Sequence, residues 1–381
     1  MPNNRLKLGV IILLVMIAPL LASADDSSNS SDINPPLGIP RDVWTYFIPK
    51  DSPITPRKVE LGRQLFFDKR LSADGQVSCA TCHDPKLGFT DARPKAEGIG
   101  GRRGTRNTPT ILNSMFNAGQ FWDGRAATLD AQALMPLINP DEMGNESLEQ
   151  VVTRLQTIPE YSTGFKDVFG RSPAIDDLAK AIAAFERTLV SGNSPFDRYI
   201  SGDRAAMSES ALRGLGLFRG KARCSICHNF NLSFPFLTDQ NYRNTGIAAN
   251  NPAFNDLTKI ALEAARRGAS AESLKALGKR EGASELGRFL VTGNALDIGA
   301  FRTPSLRNVE LTAPYFHDGS AATLIDVVGY YARGGNESPS RDWELQTVTL
   351  SESEQQDLVA FLKSLTGDDA KKMAIDALLA P

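Results

Sequence analysis

Histidine and cysteine are scarce in this chain of 381 residues, which has three histidines and four cysteines. All four cysteines and two of the histidines fall in two short segments, Cys79-Ala80-Thr81-Cys82-His83 and Cys224-Ser225-Ile226-Cys227-His228. No cysteine is left over. A zinc site would need four ligands close together, and a redox dithiol normally occurs once, near a βαβ pattern. Neither alternative fits two distant copies.

Each segment has the C-x-x-C-H pattern of c-type haem attachment. The two thiols form thioether bonds with the porphyrin vinyl groups, and the histidine binds the iron. One turn of helix puts the three groups on the same haem edge, which fixes their spacing. We therefore predict two covalently bound haem c groups, one held by Cys79, Cys82 and His83 and the other by Cys224, Cys227 and His228.

Long apolar runs are missing beyond the N-terminus. The run from Leu8 to Leu21 follows a basic segment and precedes Ala22-Ser23-Ala24, a pattern typical of a secretory signal peptide. We predict cleavage after Ala24, with an uncleaved anchor as the alternative, and no later membrane span. Export agrees with covalent haem, because bacteria attach c-type haem outside the cytoplasm. The sequence therefore predicts a periplasmic protein.

Neither sign of charge is in large excess, with 42 basic and 44 acidic residues. Removal of the predicted signal peptide takes away Arg5 and Lys7 and no acid, so the mature chain is weakly acidic. This balance argues against a nucleic-acid partner.

Runs of alternating β-branched residues, which would predict strands, are also missing. Helical signals are clear instead: Thr55-Pro56, Ser147 with Gln150, the apolar spacing from Ile175 to Leu189, Ser208, and Ser351 with Glu354. We expect Gly367 to end the last helix. No internal repeat is evident beyond the haem motif and its flanking helices.

The predicted fold is mainly α, with two tandem cytochrome c-like haem domains. After the signal peptide (1–24), residues 25–38 are rich in Ser, Asp, Asn and Pro and predict a flexible linker. The N-terminal haem domain is expected over 39–200 and the C-terminal one over 201–381. The latter has a helical insertion at about 252–283 and a C-terminal helix (351–366) that can pack back on the first domain.

Methionine, the usual sixth ligand of a simple electron-transfer cytochrome c, is missing where the second haem would need it. After Cys227 the next methionine is Met373. The candidates that remain for the second iron are His317, Tyr242, Tyr315, Tyr330 and Tyr331. A tyrosinate is an anionic donor that stabilises ferric and higher iron. At the first haem the sixth position stays undecided, because Met115, Met135 and Met143 are all available.

Four further stretches carry a family resemblance: Asn107-Thr108-Pro109-Thr110, Gln120-Phe121-Trp122-Asp123-Gly124-Arg125-Ala126, Phe301-Arg302-Thr303-Pro304-Ser305-Leu306-Arg307-Asn308 and Ala313-Pro314-Tyr315-Phe316-His317-Asp318-Gly319. In this order around two C-x-x-C-H motifs, they resemble the bacterial di-haem cytochrome c peroxidase/MauG superfamily. The resemblance runs from about residue 55 to 366.

The resemblance implies roles at matching positions. Trp122 matches a tryptophan that bridges the two haems, and Gln132 and Glu142 match the pair that lines the peroxide pocket of the N-terminal haem. There Glu142 would act as general base and then acid, while Gln132 would hold the bound oxygen species by hydrogen bonding. An inter-domain calcium ion is implied at Asn107 with the carbonyls of Thr312 and Pro314, since Ca²⁺ prefers oxygen ligands.

Two departures from the usual peroxidases point to the MauG-like subgroup. The loop over 96–103 lacks the histidine that caps the N-terminal haem in typical members. The position of the usual methionine ligand to the C-terminal haem is occupied by Tyr331. In the MauG-like subgroup the first haem is five-coordinate and the second is ligated by histidine and tyrosine.

The resemblance implies an enzyme that reacts with hydrogen peroxide, stores two oxidising equivalents across the haem pair and oxidises a residue, often tryptophan, of a partner protein. The alternatives are a peroxidase supplied by a small cytochrome c or cupredoxin, and a non-catalytic di-haem electron carrier. Tryptophan-crosslinking members use a surface tryptophan just before the second haem motif. Residues 201–223 contain none, so we expect a different partner or exit route.

Overall fold

The computed structural model describes residues 34–370 and 372–373, so the predicted signal peptide and most of the predicted linker lie outside the described residues. The described part is mainly helical, as expected. Its α-helices are α1 Arg41–Tyr46, α2 Pro56–Phe67, α3 Cys79–Cys82, α4 Leu129–Ile138, α5 Leu148–Gln156, α6 Pro159–Phe169, α7 Ile175–Glu186, α8 Pro195–Ile200, α9 Glu209–Arg219, α10 Phe254–Arg266, α11 Ala271–Gly278, α12 Phe289–Thr292, α13 Leu324–Ala332 and α14 Glu352–Lys363.

Short 3₁₀ helices and a minimal sheet connect these elements. The strands β1 Tyr242–Arg243 and β2 Phe301–Arg302 pair antiparallel. The 3₁₀ helices of the described part are Lys69–Leu71, Pro85–Leu87, Ile99–Gly101, Ser114–Phe116, Cys224–Ile226, Ile247–Asn250, Ala283–Leu286, Ala295–Asp297 and Val309–Leu311. None of the helices in the described part has the length and apolar character that crossing a membrane requires.

Helix starts lie where the sequence predicts them, because capping is a local interaction. The Thr55 hydroxyl accepts a hydrogen bond from the Lys58 amide, and Ser208 caps α9 in the same way. At α14, Ser351 and Glu354 form the predicted reciprocal capping box.

One predicted helix end is wrong, and a second helix is shorter than its apolar pattern. Helix α14 ends at Lys363 instead of Gly367, because tight i→i+3 hydrogen bonds close the chain over residues 364–366. A Cβ at Gly367 would lie 2.3 Å from the Gly192 carbonyl oxygen, so this glycine serves a close backbone contact. Helix α7 ends at Glu186, before Leu189, whose carbonyl accepts the Asn113 amide.

Each haem motif follows a helix that crosses a second helix at a glycine. On α2, a Cβ at Gly62 would lie 1.9 Å from the Ala181 carbonyl oxygen of α7. On α9, a Cβ at Gly214 would lie 1.9 Å from the Asp357 carbonyl oxygen of α14. Only a residue without a side chain permits these two backbones to approach so closely.

The internal repeat extends further than the sequence suggested. Asn113 and Asn308 both adopt the left-handed conformation after a Thr-Pro turn, with φ of 61° and 62°. Phe121 and Phe316 do the same at φ of 65° and 69°, inside hairpin-like turns closed by the bridges Gln120↔Ala126 and Tyr315↔Ala321. Trp122 and His317, the next residues, therefore occupy equivalent positions in the two halves.

The second half differs by the predicted helical insertion, which forms α10 and α11. These helices pack around an apolar cluster of their own: Ala248, Phe254, Leu257, Ala261, Leu274, Leu277, Ala283, Leu286, Phe289, Ile298 and Phe301. The C-terminal helix α14 packs on α9 and α13. The residues after it reach the segment before α9, where the Phe196 amide donates to the Ser364 carbonyl.

Candidate active site

The first haem motif faces a cavity of about 530 Å³. The side chains expected around the first haem all line it: Cys79, Cys82, His83, Trp122, Gln132 and Glu142. Helix α4 contributes Leu129, Gln132, Ala133 and Pro136, which lie on one helix face.

The second haem motif faces a separate cavity of about 240 Å³. Its lining includes the predicted haem ligands and the predicted calcium ligands: Cys224, Cys227, His228, Tyr331, Asn107, Thr312 and Pro314. The two motifs thus serve different cavities, so their cysteines do not converge on one zinc site.

The thiols do not have the character of a redox dithiol. All four cysteines are free, and burial raises the pKa of each one, that of Cys82 to about 12. Reactive cysteines have lowered pKa values instead. Two half-buried, unpaired thiols at each cavity wall fit covalent attachment of a porphyrin edge.

Both motif histidines are oriented by the backbone. The Nδ1 atom of His83 lies 3.1 Å from the Phe89 carbonyl oxygen, and that of His228 lies 2.9 Å from the Leu237 carbonyl oxygen. Burial lowers the pKa of both imidazoles. A neutral ring that donates from Nδ1–H leaves Nε2 as an acceptor for iron, which is the usual arrangement of a metal-binding histidine.

The repeat makes the two cavities comparable residue by residue. Helices α4 and α13 are both capped by a threonine hydroxyl, that of Thr128 and Thr323. Counted from these caps, the eighth residue of α4 is Pro136 and that of α13 is Tyr331, and both line their cavities. The first cavity therefore has no donor atom at the position where the second has a phenol.

The structure separates the other candidates for the second iron. The Tyr330 hydroxyl is engaged, since it donates to the Thr245 carbonyl and accepts the Asn336 amide. His317 is bonded through Nε2 to Glu285 at 2.8 Å. Tyr242 is not among the residues that line the second cavity, whereas Tyr315, His317 and Tyr331 are.

The three methionine candidates for the first iron also differ in their positions. Met115 packs in a different apolar cluster, and Met135 lies at the surface. Met143 lines the first cavity while it packs in the core between α2, α4, α5 and α7.

Glu142 is held in place from two sides. Its Oε1 accepts a hydrogen bond of 2.8 Å from the Asn139 amide, and its carbonyl accepts the Ile99 amide at 2.8 Å. The second contact comes from the loop over 96–103. Burial raises the pKa of the Glu142 carboxyl, although the charge of Arg125 acts in the opposite direction. A carboxylate with a raised pKa is a stronger proton acceptor than an ordinary one, which suits a general base.

Trp122 lines both cavities, so it lies between the two haem sites. Its Nε1–H donates to the Asn107 carbonyl at 2.8 Å. The ring centroids of Trp122 and His317 are 6.5 Å apart. His317 continues into a buried network in which Glu285 also pairs with Arg106 at 3.0 Å.

Sequence reasoning missed two buried charged residues. Arg302 lines both cavities, and its Nε has no hydrogen-bond partner within the described residues. Burial lowers the pKa of this guanidinium to about 10. A buried cation between the cavities fits the anionic propionates of two haems. Arg302 lies in the stretch Phe301 to Asn308, which carries the family resemblance. Its place in that stretch is the sequence feature that could have identified it.

Glu186, the last residue of α7, lines the first cavity and is 5% exposed. Its Oε2 has no partner in the described part of the chain. Burial raises its pKa to about 8, and the neighbouring Arg187 opposes the shift. A lone glutamate in a helical pattern gave no sequence signal.

The paired cavities, each with two half-buried thiols and one oriented imidazole, define a protein that carries two c-type haems. Comparison with known proteins agrees. The matching family is described as di-haem cytochrome c peroxidase, over residues 56–205. The chain is 40% identical to the methylamine utilization protein MauG of Methylorubrum extorquens over 324 residues, 84% of this chain and 82% of that protein.

Two further relatives extend the agreement. Cytochrome-c peroxidase IdrP1 of Denitromonas iodatirespirans is 39% identical over 366 residues, 93% of each chain. The crystal structure of a MauG-like protein associated with microbial copper homeostasis matches with a TM-score of 0.70 and 31% identity, covering 89% of this chain and 95% of that one. The chain belongs to the di-haem cytochrome c peroxidase family. It is a haem-dependent oxidoreductase.

Proposed function

We propose that the chain is a periplasmic enzyme that reacts with hydrogen peroxide at the His83 site and oxidises a residue, such as tryptophan, of a partner protein. The observation that carries this proposal is the contrast between Pro136 and Tyr331 at equivalent helix positions. It supports an open first haem and a second haem closed by a tyrosine. A ligand site that keeps one position open is suited to catalysis.

When bound, the first haem supplies the redox chemistry with peroxide. The residues of the chain move the protons. Glu142 accepts the proton of the inner peroxide oxygen and returns it to the outer oxygen, which then leaves as water. Asn139 holds the carboxylate for this transfer at 2.8 Å. Gln132 lines the same cavity and would donate a hydrogen bond to the peroxide.

Trp122 is the proposed electron bridge between the two sites, since it lines both cavities. Its hydrogen bond to the Asn107 carbonyl fixes the indole. We also propose one calcium ion at Asn107 with the carbonyls of Thr312 and Pro314, which line one cavity. The described residues contain no group of three or more His, Cys, Asp or Glu side chains that could hold a metal ion, so such a site would rely on neutral oxygens and water.

The ferric spectrum of the purified holoenzyme tests the open first site. We expect electron paramagnetic resonance to show one high-spin and one low-spin ferric haem. Two low-spin haems would instead support a non-catalytic di-haem electron carrier.

A peroxidase that draws electrons from a small cytochrome c or cupredoxin is the second candidate, and the relatives named cytochrome-c peroxidase favour it. The rate at which the enzyme oxidises a reduced donor protein distinguishes this peroxidase from the leading proposal. A long-lived spectral change after one equivalent of peroxide, with slow oxidation of reduced cytochrome c, supports the MauG-like activity. Rapid multiple turnover with reduced cytochrome c would overturn that activity in favour of the peroxidase.

A further inference from the structure

Trp343 is the exposed tryptophan of this chain. Its side chain is 76% exposed, whereas Trp44 is 3% exposed and Trp122 lies between the two cavities. A single exposed apolar residue needs no explanation by itself. The position of Trp343 is unusual, because its two neighbours in the chain, Asp342 and Glu344, line the second haem cavity.

The segment that carries Trp343 is fastened to the second haem site. Asp342 pairs with Arg243 at 2.6 Å, and Glu344 pairs with Arg223 at 2.8 Å. Arg223 immediately precedes Cys224, the first cysteine of the second motif. The Glu344 pair therefore holds one side of the Trp343 segment next to the haem motif, and the Asp342 pair holds the other side on β1.

Backbone hydrogen bonds fix the same segment from two further directions. The Asp342 amide donates to the Asn244 carbonyl at 2.9 Å, and the Val348 amide donates to the Ala332 carbonyl at 2.8 Å. Ala332 directly follows Tyr331 on α13. The segment is thus tied both to the strand region after the motif and to the helix with the proposed tyrosine ligand.

Asp342 and Glu344 line the second cavity, and Trp343 between them is exposed to solvent. Consecutive Cα atoms are about 3.8 Å apart, so the exposed indole lies one residue from side chains that face the cavity. Ile226, inside the second motif, also lines the cavity and is 37% exposed. Trp343 and Ile226 are thus two exposed apolar side chains that belong to segments lining the second cavity.

We propose that Trp343 is the surface residue through which electrons pass from a protein partner to the second haem site. A folded protein is too large to enter the cavity, so its electrons must cross the wall, and an indole is the readily oxidised side chain there. Tryptophan is also a common anchor of protein interfaces. This inference rests on the proposed function, since peroxide must first oxidise the haem pair.

The electron balance of this step is simple. One electron leaves the Trp343 indole for the oxidised haem pair, and the exposed N–H releases its proton to solvent. One electron from the partner and one proton from solvent then restore the indole. Two such passes supply the two electrons that, with two protons, reduce hydrogen peroxide to two waters.

Mass spectrometry of the holoenzyme after peroxide treatment without any donor tests the first half of this step. We expect oxygen addition at Trp343, because the electron it loses is not replaced. Tyr46 is the matched control, since it is 82% exposed and lies outside the lining of both cavities. Oxidation of Tyr46 and Trp343 to the same extent would indicate damage from free peroxide and would overturn the relay.

Variants test the second half, with reduced small cytochrome c as the protein probe and a small dye as the second donor. We expect Trp343→Phe to lower the rate of cytochrome c oxidation about tenfold and to leave dye oxidation unchanged. Trp343→Tyr should restore part of the loss, and Tyr46→Phe should match the wild type.

The outcomes distinguish the relay from the proposed function. If peroxide changes the haem spectrum but Trp343 stays unmodified and Trp343→Phe oxidises cytochrome c at the wild-type rate, the relay is wrong and the proposed function stands. If peroxide changes no haem spectrum in wild type or variant, both are wrong.

Discussion

At the scale of single residues, Tyr331 is informative because its side chain lines the second haem cavity. Burial raises the pKa of this phenol above its ordinary value, so without a metal it stays neutral. The positive charge of an iron would favour the phenolate instead. Tyr331 is therefore suited to act as a ligand only when the second haem is in place.

We predict that Tyr331→Phe changes the low-spin spectrum of the second haem, because phenylalanine has no donor atom. Absorption and electron paramagnetic resonance spectra of the ferric holoenzyme check this. Tyr330→Phe is the matched control, since the Tyr330 hydroxyl bonds Thr245 and Asn336. It should keep the spectrum and lose about 1 kcal/mol of stability. An unchanged spectrum in Tyr331→Phe would refute the ligand assignment.

Glu142→Gln should lower kcat/KM for hydrogen peroxide by about 10²- to 10⁴-fold, the usual contribution of a general base. Rapid mixing of ferric enzyme with peroxide measures this rate. Glu146→Gln, an exposed glutamate on the same loop, should have the wild-type rate. Equal rates in both variants would remove Glu142 from the mechanism.

The pH dependence follows from the direction of the Glu142 pKa shift. The base must be ionised, and burial raises its pKa above the ordinary 4.5. In the wild type kcat/KM should therefore fall as pH drops through a midpoint above 4.5, and rise to a plateau above that midpoint. Glu142→Gln should lack this acidic limb. If kcat/KM of the variant still falls at acidic pH, the titration belongs to a residue other than Glu142.

At the scale of elements, Gly62 and Gly214 permit the helix before each haem motif to approach a second helix closely. Helix α2 crosses α7 in this way, and α9 crosses α14. We predict that Gly214→Ala destabilises the protein by at least about 1–3 kcal/mol, because the new methyl would overlap the Asp357 carbonyl. Thermal unfolding of the ferric holoenzyme measures the change.

Gly216 offers the matched control on the same helix, since no atom lies within 4 Å of a Cβ built there. Gly216→Ala should stabilise the protein by about 0.5–1 kcal/mol, the cost of an interior glycine relative to alanine. If both variants behave alike, the close crossing of α9 and α14 has no energetic role.

The elements also show how far sequence reasoning reaches. Helix starts such as Thr55 and Ser208 were predictable, because a cap bonds the backbone within three residues. Helix ends at Lys363 and Glu186 were not, because contacts with distant segments decide them. The full repeat was hidden for a similar reason: the insertion with α10 and α11 displaces the second Thr-Pro turn relative to the first along the chain.

At the scale of the whole molecule, the covalent haem attachment was predictable from the motifs, whereas the groups between the sites were not. Arg302 and Glu285 acquire their positions only when three distant segments meet around Trp122 and His317. No spacing pattern in the sequence records such a contact. The resemblance supplied Trp122 and Asn107, and the folded chain shows that the Asn107 carbonyl bonds the Trp122 indole.

A calcium ion at Asn107 would join segments from both halves of the chain, so its removal should lower the Tm. A ligand that binds only the folded state stabilises it by about 2.7 kcal/mol at a hundred times its Kd. We expect a higher Tm of the holoenzyme in Ca²⁺ than in EGTA, and loss of this difference in Asn107→Ala. An identical Tm in both buffers would contradict the calcium site.

The 3₁₀ helix that follows the insertion, Ala283–Leu286, is bonded to both halves of the molecule through a buried carboxylate. Glu285 bonds Arg106 of the first half and His317 of the second at 3.0 and 2.8 Å. Burial alone would raise the pKa of Glu285, but the hydrogen bond to His317 and the charge of Arg106 hold it below its ordinary value. The carboxylate therefore stabilises the fold above about pH 4.5, and this contribution is lost as pH falls through its lowered pKa.

Glu285→Gln should cost up to about 3–5 kcal/mol at neutral pH, because it leaves the half-buried Arg106 guanidinium without its charge partner. Thermal unfolding of the holoenzyme at neutral and acidic pH measures this cost, and the gap from wild type should narrow in acid. Glu263→Gln is the control within the insertion, since its ion pair with Arg267 is exposed and should contribute at most about 1 kcal/mol. Equal losses in both variants would show that this 3₁₀ helix does not depend on the Glu285 carboxylate for its attachment.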